Sequence, residues 1–166
     1  MGASPGGGEG FRLVFVCTGN TCRSPMAEVI ARRRASEMGW RNVEIASAGV
    51  GAFPGSPASG GALRTAAAHG LDLSRHASTL LTFDAVEAAD LLLTMSGTHL
   101  LRVAELGAGD RAALLSAYAA GRGPDEFAPG VPDPIGGSDE EYEETFMLLE
   151  EMVDLALARL EKDLSA

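Results

Sequence analysis

Eight consecutive residues carry the chemistry most readily read from this chain: Cys17, Thr18, Gly19, Asn20, Thr21, Cys22, Arg23 and Ser24. An apolar run, Leu13 to Val16, precedes them, and Pro25 with a helical pattern follows. A strand end, a polar turn and a helix start therefore meet at one point. Unpaired N–H groups at a helix start converge there and the helix dipole adds partial positive charge, so the turn is suited to an anion, phosphate above all. Arg23 lies six positions after Cys17, far enough for the chain to wrap a tetrahedral dianion and bring a planar guanidinium back over it. A thiol in such electropositive surroundings loses its proton readily, which would make Cys17 a nucleophile toward phosphorus, although on spacing alone a buried Cys at a strand end before an N-capped helix is the commoner reading. Ser24 can donate a hydrogen bond to the thiolate, and Gly19 and Asn20 are the residues suited to a left-handed backbone.

A phosphate ester or phosphoramidate also needs a proton for its leaving group, which a thiolate cannot supply. Ala120 to Gly137, with four prolines and five glycines, reads as a long functional loop. Within it Pro132 and Pro134 flank Asp133 and restrict its backbone on both sides. Asp125 and Glu126 are the other acids of this loop.

The elements that must position these groups read as alternating strands and helices. Phe11–Val16 forms the first strand, and Pro25–Met38 a helix ended by Gly39. Val43–Ala46 is a second strand, closed by Ser47-Ala48-Gly49. Ala62–His69 is a helix with Gly70 as its stop, and Asp72–Thr82 fits no class. Thr82 caps Phe83–Ala89, Leu91–Met95 is a central strand, Ser96 caps Thr98–Leu106, and Ala112–Leu115 is a fourth strand. Ser138 and Glu141 form a capping box for a final helix with an apolar stripe of Tyr142, Phe146, Leu149, Met152, Val153, Ala156 and Leu160. Glu140, Glu141, Glu143 and Glu144 read as its solvated face. The fold expected is a single α/β domain over 11–166: a four-stranded parallel sheet with helices on both faces and its ligand site beyond the strands' carboxyl ends. Residues 1–10, with five glycines, read as a disordered tail.

Composition narrows the partners. The 166 residues carry a net charge of −10, which argues against nucleic acid or an anionic membrane surface. No apolar run reaches the roughly 20 residues that span a bilayer, so a cytoplasmic protein is expected, and it is taken to be a monomer. Cys17 and Cys22 are the only cysteines and share one tight loop, so a bond between them would be redox chemistry, with Cys22 as the partner, and not a structural staple. No metal and no cofactor is called for.

The string C-T-G-N-T-C-R-S-P, Cys17 to Pro25, resembles the phosphate-binding loop of the low-molecular-weight protein tyrosine phosphatases, C-x-G-N-x-C-R-S-P, at every fixed position. That resemblance implies a phosphocysteine mechanism. Cys17 is then the nucleophile, Arg23 and the backbone N–H groups of Thr18 to Ser24 hold the phosphoryl group, and Asp133 of Asp133-Pro134 is the general acid. It also pairs Ser47 with Asn20 as loop support and aligns His76 with a supporting histidine. A surface-loop histidine is the ordinary reading of His76, and that reading is taken for His69 and His99. Tyrosine phosphatases of the family often carry Ile where Thr21 stands and aromatic residues after the Asp-Pro. Here the run is Asp133-Pro134-Ile135-Gly136-Gly137-Ser138, and both departures resemble the bacterial protein-arginine-phosphatase branch. Phosphoarginine proteins are therefore the substrates implied, with phosphotyrosine proteins the alternative. Arsenate reduction lacks the further cysteines it relays through, and a non-catalytic phosphoprotein-binding module would not need Cys17, Arg23 and Asp133 together.

Overall fold

The computed structural model describes residues 10–123 and 128–165. The tail up to Glu9 and the loop acids Asp125 and Glu126 lie outside the described residues.

Strand β1, Phe11–Cys17, is central: parallel β2, Val43–Gly49, lies on one side, parallel β3, Leu91–Thr94, on the other, and β4, Ala112–Leu114, pairs in parallel beyond β3. Leu13–Cys17, Leu91–Leu93 and Ala112–Leu114 are continuous apolar runs because both faces of the sheet are covered. Leu13 and Phe15, fully buried, face α1, Arg23–Glu37, and the long final helix α6, Asp139–Ser165, through Met26, Ile30, Phe146, Leu149 and Val153. Helices α2, Gly60–Ala68, and α5, Leu115–Ala119, join the same face. Val14 and Val16 face the opposite way, toward Val86 of α3, Phe83–Ala88, and Val103 of α4, Gly97–Glu105. Each such large side chain removed from water contributes about 1.5–3 kcal/mol. The expected sheet and its two helical faces are thus what the chain forms.

Capping chemistry sets several boundaries as read from the sequence. Thr82 accepts from Ala85 N–H, Ser96 from His99 N–H, and Ser138 and Glu141 bond reciprocally. Gly70 stops α2 with φ 77°.

Four sequence readings need correction. Strand β2 runs through Ser47-Ala48-Gly49 instead of closing there, because Gly49 still pairs with Cys17. Helix α1 starts at Arg23, two residues before Pro25, since proline lacks only an N–H that the first turn leaves unpaired anyway. A short helix, α5, follows β4 directly, with Leu115 and Tyr118 turned into the core. Glu143 is not simply solvated: its carboxylate lies 2.7 Å from His69 Nε2, and the His69 ring stacks on Phe146 at 4.1 Å, which also removes His69 from the free surface loops.

Candidate active site

The turn after β1 has its carbonyls directed outward and its N–H groups inward. Val50 N–H donates to Cys17 O, Gly51 N–H to Thr18 O and Ser59 N–H to Thr21 O, each at 2.9 Å, while His76 Nε2 donates to Asn20 O at 2.6 Å. With the acceptors so engaged, the N–H groups of Thr18, Gly19, Asn20, Thr21 and Cys22 have no partner among the described residues. Converging, unpaired N–H groups at the start of α1 form an anion cradle, with the helix dipole adding to it.

Asn20 holds this shape. It is fully buried and takes the left-handed backbone, φ 56°. Gly19, expected to share that conformation, does not. The glycine the loop requires is Gly49 on β2, where a Cβ would lie 2.4 Å from Thr18 O and 2.9 Å from Asn20 N. Asn20 Oδ1 accepts from Thr79 N–H at 2.9 Å, so its amide nitrogen is turned to Ser24 Oγ at 2.8 Å and Ser47 Oγ at 2.9 Å. Ser47 gives its own hydrogen to Glu28 at 2.6 Å, in the first turns of α1. Ser24, accepting from Asn20, is left to donate to Cys17 Sγ, 2.8 Å away. A directed chain of donors thus ends on the sulfur. Asn20 and Ser24 form it with Thr79 fixing the Asn20 amide, while Ser47 takes the other Asn20 N–H and passes its own hydrogen to Glu28, a branch that leads away from the sulfur; Ser24 and Ser47 are expected from the sequence, whereas no sequence signal marks Thr79 and Glu28.

Arg23, 6% exposed, is held by Val131 O at 3.1 Å and by Asp133 Oδ2 at 3.4 Å. The other oxygen of Asp133 accepts Ile135 N–H at 3.1 Å, so the carboxylate is aimed from both sides. Cys17, Thr18, Gly19, Thr21, Cys22, Arg23, Asp133 and Ile135 line one cavity of about 200 Å³. Cys17, the Arg23 guanidinium and the Asp133 carboxylate, with Arg23 and Asp133 110 residues apart in the chain, therefore share one space. Cys22 and Cys17 are both free thiols. Cys22 Sγ sits 3.3 Å from both Ser59 Oγ and Tyr142 OH.

His76, which the resemblance aligns with a supporting histidine, lies against the loop, its Nε2 2.6 Å from Asn20 O. His99 is not a surface histidine either: it is 2% exposed and its Nε2 lies 2.8 Å from Thr18 Oγ1. Burial, with the Arg23 guanidinium adding, pushes its pKa down to about 4 against the opposing pull of Asp133. The sequence does carry a signal for it, since His99 lies three residues after the Ser96 cap and four before buried Val103, on one helical face. Among the described residues no group of three or more metal-ligating side chains is gathered.

Known proteins resemble this chain over most of its length. The family model described as low molecular weight phosphotyrosine protein phosphatase matches residues 12–166. A protein-arginine-phosphatase of Bacillus subtilis (strain 168) is 39% identical over 153 residues, covering 91% of this chain and 97% of the relative. The low molecular weight protein-tyrosine-phosphatase Etp of Escherichia coli (strain K12) is 32% identical, covering 83% and 86%. A solved YwlE arginine phosphatase, a serine-for-cysteine mutant with a phosphorylated active-site serine, superposes with a TM-score of 0.84 at 36% identity, over 92% of this chain and 97% of that one. From the cradle behind Cys17 to the helix that closes the sheet, this chain belongs to the low-molecular-weight phosphotyrosine protein phosphatase family.

Proposed function

We propose that the chain, as one domain over 11–166, is a cysteine-dependent phosphatase that removes phosphate from arginine side chains of proteins. Cys17 Sγ attacks phosphorus in line with the P–N bond, and the cradle N–H groups with Arg23 take up the charge of the transferring phosphoryl group. Asp133 gives its proton to the leaving nitrogen. The resulting phosphocysteine is opened by water, whose proton Asp133 takes back, releasing inorganic phosphate and the free thiolate. Ser24, Asn20, Ser47 and His76 hold the loop, and Cys22 is the partner for Cys17 on oxidation.

The observation that carries the choice of phosphoarginine is the cavity wall. Thr21 and Ile135 stand beside Cys17 and Asp133, and among the described residues none that lines the cavity is aromatic. A phenolic ring gains nothing from stacking there, a contribution worth about 0.5–1.5 kcal/mol where rings are present. A phosphoguanidinium, polar and cationic, can use the Thr21 hydroxyl. The relatives that carry arginine-phosphatase names support the same choice, whereas Etp keeps phosphotyrosine as the competing reading. We read the enzyme as a monomer acting on phosphorylated proteins in the cytoplasm, where thiols such as Cys17 stay reduced. No helix of the described residues is long and apolar enough to cross a membrane.

Matched phosphoarginine and phosphotyrosine peptides test this. Wild type should favour phosphoarginine, and Thr21→Ile should shift the kcat/KM ratio toward phosphotyrosine by roughly five- to hundredfold, the worth of one polar contact of about 1–3 kcal/mol. Faster wild-type hydrolysis of phosphotyrosine, with a ratio unmoved in the variant, would show the tyrosine reading to be correct.

A further inference from the structure

His99 is a buried group for which the proposed reaction has no use. Its two ring nitrogens meet different surroundings. Nε2 faces Thr18 Oγ1 at 2.8 Å, while Nδ1 is the one buried side-chain N or O atom among the described residues without a partner.

The ring is neutral for reasons visible in its place. It is 2% exposed, it stands in the first turn of α4 at the positive end of that helix, and Arg23 lies close enough to disfavour a second cation. A neutral imidazole has one N–H to place. Orphaned N–H groups are rarer in protein interiors than under-used acceptors, so the hydrogen belongs on Nε2, donating to Thr18 Oγ1, and the lone pair on Nδ1. The Thr18 hydroxyl then keeps its own hydrogen free of the ring.

Thr18 is held from its other sides too. Its methyl borders Gly51, where an added Cβ would be 3.9 Å from Thr18 Cγ2, and its carbonyl takes Gly51 N–H at 2.9 Å. The residue is exposed, and it lines the same cavity as Cys17, Arg23 and Asp133. Its hydroxyl, oriented by His99, thus belongs to a residue of the wall around Cys17.

We propose that His99 is a positioning residue that fixes the Thr18 hydroxyl as a second polar contact, beside Thr21, for the leaving group of a phosphorylated guanidinium. The hydroxyl accepts from a guanidinium N–H with its remaining lone pair and donates its hydrogen toward the phosphoryl oxygens. A phenolic leaving group has no N–H to offer it. This proposal rests on phosphoarginine being the substrate.

The test is a double-mutant cycle read as the ratio of kcat/KM on phosphoarginine to that on phosphotyrosine peptides. Thr18→Val, which keeps the shape and loses the hydroxyl, should lower that ratio roughly 5- to 30-fold. His99→Leu should lower it similarly, the double variant no further, and His99→Gln, which can still donate, should recover part of the loss. Long-range ¹H–¹⁵N spectra of the wild-type ring supply a readout independent of substrate and of any folding defect in His99→Leu: the Nε2–H tautomer is expected. An Nδ1–H tautomer, or single-variant losses that multiply in the double variant, would overturn the pair even with phosphoarginine turnover intact. Wild type that hydrolyses phosphotyrosine but not phosphoarginine would overturn the substrate reading and this proposal together.

Discussion

Asn20 is the residue whose replacement should separate the cost of backbone conformation from the cost of lost hydrogen bonds. It is fully buried at φ 56°, and its side chain makes three bonds, to Ser24 Oγ, Ser47 Oγ and Thr79 N–H. Asn20→Ala deletes all three, at about 1 kcal/mol each, and forces a Cβ-bearing residue without a helpful side chain into the left-handed region, for roughly 1 kcal/mol more. Asn20→Gly deletes the same bonds and accepts that conformation freely. Urea titration should therefore place Asn20→Ala about 4 kcal/mol below wild type and Asn20→Gly about 1 kcal/mol above Asn20→Ala. A domain of this size loses about 2–4 °C of Tm per kcal/mol, so the pair should melt about 2–4 °C apart. Activity should behave differently from stability. Both variants release Ser24 from the donor chain that ends on Cys17 Sγ, so kcat should fall roughly 5- to 100-fold in each, to a similar extent. An Asn20→Ala protein within about 1 kcal/mol of wild type, or an Asn20→Gly less stable than Asn20→Ala, would refute the reasoning.

Further outcomes follow from the same geometry. Asp133→Asn should lower kcat by roughly 10² to 10⁴ while orthovanadate binding, measured by inhibition of residual turnover or by calorimetry, is largely kept; a rate unchanged across pH would move the search to Asp125 and Glu126. Peroxide should inactivate the enzyme through a Cys17–Cys22 disulfide that dithiothreitol reverses, and in Cys22→Ser it should drive Cys17 to irreversible acids; mass spectrometry finding no such bond in inactivated wild type counts against this. Gly49→Ala should abolish most activity and lower Tm, because its Cβ would lie 2.4 Å from Thr18 O, whereas Gly19→Ala meets nothing nearer than Thr21 Oγ1 at 3.7 Å and should fold within about 1 kcal/mol of wild type. Equal melting of the two variants would contradict the steric assignment.

Much of this site is legible in the amino-acid sequence because its central part is contiguous. Strand end, cradle and helix start occupy Phe11 to Glu37 without interruption, and apolar run, polar turn and Pro25 each carry a local signal. Asp133 is less plainly marked: prolines on both sides fix its backbone but by themselves read as a turn, and the family resemblance singles out its carboxylate. The capping residues Thr82, Ser96 and Ser138 act on N–H groups three residues away, so sequence spacing alone identifies them. The family resemblance supplies Ser47 and His76, which spacing does not.

What only the tertiary structure decided is how distant segments complete the loop. Thr79 reaches Asn20 across 59 residues, His76 across 56, and His99 reaches Thr18 across 81. Asp72–Thr82, which carries two of these contacts, has no helix or strand and hence no periodicity to read. By local pattern Gly49 is the residue that closes a strand and Gly19 the flexible point of the turn. The packing of β2 against the cradle reverses those roles, because Gly49 is needed where another chain segment leaves no space for a Cβ and Gly19 faces ordinary room. Local pattern, read with the family resemblance, therefore pointed to the residues proposed to do chemistry, through backbone and side-chain properties that act within a few positions. The fold determined which residues hold them in place, since burial and close approach arise only when strands remote in sequence lie side by side.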